Sequence, residues 1–333
     1  MAKKILGIEI GNCRLKIAIC SESNLERLIT ADVPDNLVQE DEIVSWEAMA
    51  EFIKEMIKEN KIAVKNAAVV IPEKLVYTKH VVMPAMTVDQ LRVNLPYEFH
   101  DYITEDKDKY FYDYAVIKKT SDSEGNFTEM ELMAVAAPKE LINQYKTMFR
   151  RAGLRLVLIA PDYSAVRNII KDYEEVNAVQ EPGDYAILDI GHKTVKLYFF
   201  TRGEYEITRV MEEGCEELDR HIAEAFNVDE HIARIYKETN KDDILHDPGC
   251  EEIYSQMAVE VMRVLNFYNF NHPDNKLDAL YYCGGGALIR PLIEAIEGAT
   301  EVNVVSLDQL LTDKYEDTAK ILMGPQALGI TWE

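Results

Sequence analysis

Two carboxylates, two lysines and three glycine turns carry the chemistry available to this sequence. Gly7-Ile8-Glu9-Ile10-Gly11 runs on to Lys16, and Ile187-Leu188-Asp189-Ile190-Gly191 runs on to Lys196. In each copy an apolar strand holds one acid, turns at a glycine two residues later, and meets a lysine seven residues after the acid. A glycine turn lets successive backbone N–H groups close around an anion. Side chains two apart share one face of a strand, so each acid points toward that anion and can hold Mg2+ through water. Glu9 and Asp189 are therefore the metal candidates, and Asp189 is the one catalytic candidate. Lys16 and Thr194 are placed to add direct phosphate contacts. One such hairpin alone would read as an ordinary turn with a solvent-facing acid. Two copies, with Gly284-Gly285-Gly286 as a third turn, favour a nucleotide held between two related halves.

The triple glycine follows the apolar stretch ending at Cys283 and precedes a helix expected near Ala287. That context fits close passage of backbone beside an adenosine. Lys237 falls on an expected helix and could lie across a base or ribose, a solvated lysine being the commoner case. His192 follows Gly191 and could donate to a phosphate; an exposed turn histidine is as good a reading. His80, His100, His221, His231, His246 and His272 show no metal spacing. No GxxxxGK[ST] or GxGxxG stretch is present, nor a GxSxG elbow or a Ser/His/Asp arrangement, so P-loop, Rossmann and hydrolase readings lose support. The Met and aromatic residues of 251–270 read as core, and Glu212-Glu213 and Glu216-Glu217 as solvated faces.

These residues need an α/β frame. Residues 4–20 read as two strands joined at Gly11-Asn12-Cys13, 46–60 as an amphipathic helix, and 67–71 as a strand closed by Pro72. A strand over 75–83 ends at Pro84. A helix starts with the capping box Thr87-Val88-Asp89-Gln90 and continues past Pro96 as a second piece to Tyr102. Strands over 110–118 and 130–137 flank a polar turn at 121–126. A helix over 138–152 ends at Gly153, and a strand runs over 154–159. Residues 74–152 thus look like an insertion. The polar stretch 174–183 is the linker candidate. Beyond it come a strand pair at 184–201, helices from 216 to 226, on to 239 and over 251–270, a strand at 276–283, a helix at 290–297 and a close-packed end at 324–329.

The chain has 333 residues, enough for two domains, with 47% hydrophobic residues. Its 36 Lys and Arg stand against 59 Asp and Glu, a net charge of -23. That balance argues against nucleic acid or anionic membrane as a direct ligand. A nucleotide is still accommodated, because backbone N–H groups hold its phosphates. Met1-Ala2-Lys3-Lys4 is followed by Glu9, Arg14 and Lys16, so no secretory leader is expected, and no apolar run is long enough for a bilayer. Cys13, Cys20, Cys215, Cys250 and Cys283 contain no CxxC pair and read as reduced thiols of a cytoplasmic protein.

The two hairpins and the glycine cluster resemble the phosphate-1, phosphate-2 and adenosine motifs of the actin-like ATPase superfamily. Within it the chain is most similar to the PilM family of type IV pilus assembly proteins, over nearly its whole length. The most specific segments are Val82-Met83-Pro84-Ala85-Met86 with Leu91, Glu98 and Tyr102-Ile103, then Met130 through Glu140, and Ala152-Gly153-Leu154. The implied fold is α/β and actin-like, with two duplicated ribonuclease-H-like halves and an extra subdomain of the FtsA/PilM type. The first half would be 1–178, with core 1–73 and 153–178 and insertion 74–152. The second would be 179–333, with core 179–215 and 276–333 and subdomain 216–275. The implied nucleotide contacts are Gly11, Asn12, Cys13, Lys16, Gly191, His192, Lys193, Thr194, Gly214, Lys237, Gly284, Gly285 and Gly286, with ATP and Mg2+ as cofactors.

Three positions depart from the family pattern. Glu9 stands where Asp is usual, Asp219 where Thr is common, and Arg234 where an acid would help hold the ribose. With these changes the resemblance implies ATP binding with weak or no hydrolysis. It further implies a scaffold that binds the cytoplasmic N-terminal segment of the membrane protein PilN in a groove beside the extra subdomain. Recruitment to the inner face of the membrane, within a ring or other homo-oligomer, would follow, with no direct membrane insertion. FtsA ends in a membrane-binding amphipathic helix. This chain ends Gly329-Ile330-Thr331-Trp332-Glu333, an expectation in favour of PilM. The rivals are an FtsA- or MreB-like filament protein, a small-molecule kinase of the same fold, and a nucleotide-binding chaperone.

Overall fold

The computed structural model describes residues 4–21, 24–312, 315 and 317–332. Met1 to Lys3 and Glu333, which entered the reading of the two ends, lie outside the described residues. Among the described residues no helix is long and apolar enough to cross a membrane.

Two sheets of one topology form the frame. The first half opens with strands β1 (Lys4–Ile10), β2 (Arg14–Ser21) and β3 (Asn24–Asp32), a short hairpin β4 (Val38–Gln39) and β5 (Glu42–Ile43), helix α1 (Trp46–Glu59) and strand β6 (Asn66–Ile71). An insertion follows, with β7 (Tyr77–Pro84), α2 (Val88–Asn94), β8 (Tyr110–Ser121) and β9 (Phe127–Pro138). The half resumes as α3 (Lys139–Arg151), β10 (Arg155–Pro161) and α4 (Asp162–Val176). The second half holds β11 (Asp184–Ile190), β12 (Val195–Thr201), β13 (Glu204–Met211), α5 (Glu216–Phe226), α6 (Glu230–Thr239), α7 (Pro248–Asn271), β14 (Leu277–Cys283), α8 (Arg290–Ala299) and β15 (Asn303–Ser306). Short helices α9 (Thr318–Met323) and α10 (Pro325–Gly329) close the chain.

Strand order is β3-β2-β1-β6-β10 in one sheet and β13-β12-β11-β14-β15 in the other. In each, the first three strands are antiparallel and the last two run parallel to the central strand. Even the 3-10 turns Glu73–Leu75 and Gly285–Leu288 follow corresponding strands, β6 and β14. The central strands are buried on both faces, which is why β1 and β11 read as nearly continuous apolar runs.

The insertion is a three-stranded antiparallel sheet in the order β7-β9-β8. It has its own small core of Val81, Met83, Leu91, Leu95, Phe99, Ile103, Met130 and Leu132. The Thr87 capping box forms, its hydroxyl accepting from Gln90 N. The expected second helical piece is only a 3-10 segment, Leu95–Phe99, set off from α2 at Pro96, which supplies no N–H to continue that helix.

Several elements escaped the sequence, among them the short strands β4, β5 and β15 and helix α9. Strands β3 and β13 are sheet edges with charged, half-exposed faces, so their alternation is weak. Helix α4 runs to Val176, into the stretch expected to be a linker. Glu174 there is not idle: it accepts hydrogen bonds from Gly183 N and the Tyr185 hydroxyl, each at 3.0 Å, and pins the crossover.

The chain's end returns to the first half. Residues 325–330 of α10 and its flank are all buried, and Asn168 on α4 donates to Gly329 O and Trp332 O. A Cβ at Gly7 of β1 would sit 1.8 Å from Ala327 O, so the strand and α10 touch backbone to backbone. Gly7→Ala should therefore cost about 1–3 kcal/mol of stability, the range for overpacking a filled core. Urea unfolding checks this, and an unchanged midpoint would mean that α10 is not seated on β1.

Candidate functional site

The duplicated hairpins place four side chains by strand register. Glu9 lies opposite Lys16 in the β1–β2 ladder, and Asp189 lies opposite Lys196 in β11–β12. The turns match as well: Gly11 N donates to Arg14 O and Gly191 N to Thr194 O, both at 3.0 Å. The two turns face each other across a cavity of about 370 Å3. Gly11, Asn12, Cys13, Lys16, Gly191, His192, Lys193, Thr194, Lys237 and Gly284 to Gly286 all line it, with Glu9 and Asp189. Gly214 does not. It packs behind the second turn, where a Cβ would meet His192 O at 2.5 Å, and it lets Cys215 N and Glu216 N reach the carbonyls of Gly191 and His192.

The two halves use their acids differently. Glu9 has the longer arm and pairs with Lys16 through Oε1, while its Oε2 is buried with no hydrogen-bond partner among the described residues. Asp189 is too short to do the same. Its Oδ2 accepts from Gln326 Nε2 at 2.7 Å, and Lys196 turns instead to Asp162 Oδ2 at 2.8 Å. Burial pushes both Glu9 and Asp189 above the ordinary carboxylate range, against the pull of Lys16. For Lys196, burial opposes the charge, but Asp162 and Asp41 outweigh it and its pKa ends above normal.

Asp162 is a site residue that sequence reasoning missed. It starts α4, is 7% exposed, and accepts from Lys196 and from the Tyr198 hydroxyl at 3.1 Å. An aspartate in the first turn of a helix is ordinary, so nothing marked it. Asp41 was missed too. It sits at the tip of the β4–β5 hairpin and lines the cavity, tied reciprocally to Asn12: Asn12 Nδ2 donates to its Oδ1 at 2.5 Å, and its N donates to Asn12 Oδ1 at 3.0 Å.

Glu9, Asp41, Asp162 and Asp189 line the cavity together with Lys16 and Lys196, and with Arg14 and Lys193, whose charges are engaged by Glu238 and Glu216. Among the described residues no group of three or more His, Cys, Asp or Glu forms a metal cage. The orphaned Glu9 oxygen nevertheless fits a hydrated Mg2+ whose remaining ligands are water and phosphate.

The third turn closes the floor. Gly284 has φ +89, and a Cβ there would lie 2.4 Å from Asp189 Oδ1, so both its conformation and its space demand glycine. Gly285 faces open space.

Two of the three positions that depart from the family pattern, Asp219 and Arg234, form one cluster. Asp219 is fully buried, with Lys237 Nζ at 2.6 Å, His192 Nδ1 at 3.4 Å and Arg234 Nε at 3.7 Å. The Lys237 contact is an ion pair whose angle misses that of a hydrogen bond. His192 is thus neither exposed nor free: burial, then the Lys237 and Arg234 charges, push its pKa down to about 3.

The model of the family described as type IV pilus assembly protein PilM matches residues 7–320. A solved PilM-PilN type IV pilus biogenesis complex is similar at 21% identity, covering 98% of this chain and 97% of that one, with a TM-score of 0.78. The ethanolamine utilization protein EutJ from Carboxydothermus hydrogenoformans is similar at 13% identity, covering 98% and 88%, with a TM-score of 0.60. The fold is actin-like.

The neutral His192 ring has a measurable consequence. Its folded pKa lies below the unfolded value of 6.5, so the stability it contributes is whole above pH 6.5 and is lost as pH falls toward 3. The wild type should therefore lose roughly 1 kcal/mol more than His192→Asn between pH 7.5 and 5.5. Parallel stability curves for the two proteins would show that the ring is not held neutral.

Proposed function

The chain belongs to the PilM family of type IV pilus assembly proteins, and from that premise we propose that it is an ATP-binding scaffold rather than a metabolic enzyme. Its phosphate site is the space between the Gly11 and Gly191 turns, with the adenosine passing Gly284 to Gly286. The observation that carries this reading is the pair of matched carboxylate–glycine–lysine hairpins facing one cavity. Lys16 and Lys196 sit where phosphate oxygens would arrive, each at present satisfied by a carboxylate. Mg2+, held through water by Glu9 and Asp189, would answer the charge of these two carboxylates.

Slow or absent hydrolysis fits the same geometry. Asp162 is the acid at the head of α4 facing the cavity, and Lys196 and Tyr198 already hold it. An acid so engaged is poorly placed to take a proton from water.

The partner we propose is the cytoplasmic N-terminal segment of a PilN-type membrane protein, in a groove beside the insertion of β7, β8 and β9. That segment would bring the cytoplasmic scaffold to the inner face of the membrane, within a ring or larger pilus or competence assembly. Support comes from the family match and from the likeness to a structure solved with PilN. Nucleotide would bring the two halves together, and the closed form would favour or disfavour the segment by whatever contacts differ between states.

Calorimetric titration with a synthetic PilN N-terminal segment, with and without Mg-ATP, tests the whole reading. Saturable 1:1 binding is expected, with an affinity that changes when Mg-ATP is present. No binding in either condition, with ATP still bound, would move the protein toward the filament or kinase readings.

Two substitutions test the nucleotide site itself. Gly191→Arg should abolish ATP binding, since even a Cβ there meets Thr194 O at 2.6 Å. Asp189→Ala should weaken Mg-ATP roughly tenfold to a hundredfold, the usual cost of losing a metal's supporting partner. Unchanged ATP affinity in Gly191→Arg, or wild-type titrations identical with and without Mg2+, would sink the respective assignments.

A further inference from the structure

Gln326 is an uncharged side chain set among buried charges. It is 2% exposed, it lines the cavity, and its Nε2 donates to Asp189 Oδ2 at 2.7 Å. An ionised carboxylate only accepts, so the amide presents its nitrogen to it. A hydrogen bond to an ionised acceptor is roughly twice as strong as a neutral one. Among the described residues no other side chain hydrogen-bonds Asp189. Its ladder partner Lys196 is taken by Asp162, whereas Glu9 keeps its own ladder partner, Lys16.

That difference bears on a metal. A lysine in contact answers a carboxylate's charge and competes with a dication for it. A neutral amide fixes one oxygen and leaves the carboxylate its full charge. The terminal torsion of an aspartate is broad and roughly two-fold, so without such a bond the two oxygens of Asp189 could exchange places. With Oδ2 held by Gln326, Oδ1 is the oxygen left to accept. It lies against the third glycine turn, 2.4 Å from where a Cβ on Gly284 would stand.

Gln326 owes its own position to contacts other than Asp189. Pro325 opens α10 and fixes its φ, and residues 325–330 are all buried. Gly7 of β1 backs onto Ala327, and Asn168 of α4 donates to Gly329 O. Two residues before Gln326 the chain meets the other acid. A Cβ on Gly324 would lie 2.9 Å from Lys16 Cγ and 3.6 Å from Glu9 Oε2, the orphaned oxygen. The step Gly324-Pro325-Gln326 is therefore seated against both carboxylates at once.

We propose that Gln326 is a positioning residue of the metal site, holding Asp189 Oδ2 so that Oδ1 of a fully charged carboxylate is presented to the water shell of Mg2+. The proposal rests on the nucleotide reading above and deepens it by naming the residue that sets the hold on the metal. Gln326 acts through Asp189 and needs no contact of its own with metal or nucleotide.

The test is calorimetric titration of the full chain with ATP, in EDTA and over a series of Mg2+ concentrations. The proteins are wild type, Gln326→Met, Asp189→Asn, and the two changes combined. Gln326→Met keeps the length of the side chain and removes the donor. It should raise the Kd for Mg-ATP about tenfold, the lower end of the cost of losing a partner that orients a metal's ligand. The Kd in EDTA should not move. In the Asp189→Asn background Gln326→Met should add nothing further, because its effect runs through the carboxylate. A merely structural glutamine would weaken binding equally with and without Mg2+ and in both backgrounds, and that result overturns the proposal. Unchanged Mg-ATP affinity in Gln326→Met, with the wild type responding to Mg2+, overturns it too and leaves the nucleotide site standing. If the wild type binds ATP equally with and without Mg2+, the metal reading falls and the role of Gln326 with it. Should circular dichroism show Gln326→Met unfolded, Gln326→Asn serves instead: it keeps a buried amide one methylene short of Asp189. The same metal-specific loss is expected there, and its absence overturns the proposal.

Discussion

Carboxylates at the ends of buried strands are costly unless something answers their charge, and the architecture around the cavity is organised by that constraint. Glu9 and Asp189 end the two central strands, where the flanking strands and α10 exclude water. Each would rather be neutral there, and burial raises both pKa values accordingly. Lysines opposite in register and a glutamine from α10 are the answers the fold supplies, while Asp162 of α4 adds a further negative charge and engages Lys196. None of these groups is adjacent in sequence to the acid it meets. Lys16 and Lys196 are set by hairpin register, Gln326 by the chain's return to the first half, and Asp162 by the crossover between halves. The site therefore exists only when the whole frame is assembled.

The same constraint explains why duplicated halves are not duplicated sites. One extra methylene in Glu9 lets it saturate its own lysine and leaves one oxygen orphaned. The shorter Asp189 releases Lys196 toward Asp162, so the second half engages an acid of the first. A carboxylate changed by one carbon thus decides which lysine belongs to which half. Elsewhere on the cavity wall Arg234 and Lys237 face a single buried Asp219.

What the sequence made legible follows from how local each signal is. The hairpins were readable because an acid, a glycine and a lysine at fixed spacing report a ladder register without any tertiary contact. The bounds of α5, Glu216–Phe226, were readable because one face of it is apolar at helical spacing. Strands β3 and β13 were not, since an edge strand buries little and its pattern is diluted by charge. Asp162 and Gln326 were invisible for a different reason: each is unremarkable in its own element and meaningful only through a partner over thirty or over a hundred positions away. Arg234 and Asp219 were noticed only as departures from a pattern. The structure shows that they face one another, so each departure belongs with the other.

Segment 33–45 ties these parts together. Asp35 at its start meets His231 on α6. At its tip, Glu40 and Asp41 both adopt left-handed backbone, with φ of 48° and 63°, the geometry of a tight hairpin that disfavours side chains other than glycine, asparagine and aspartate. The tip is held in that conformation from two sides: Asn12 of the first glycine turn binds Asp41, and Lys74 donates to Glu40 O. Lys74 belongs to the 3-10 turn leading into β7, whose neighbour Glu73 accepts from the Tyr205 hydroxyl of β13 at 2.6 Å. This one segment thus touches α6, the phosphate turn and the root of the insertion. Strain at the tip, of order 1 kcal/mol per residue, is retained because these contacts over-determine it. A change at the phosphate turn large enough to break the Asn12–Asp41 pair would free the tip, and the root of the insertion would lose one of its anchors in the same event. Segment 33–45 is thus a second physical connection between the cavity and the insertion, beside Ile71 and Pro72, which line the cavity and run directly into the turn before β7.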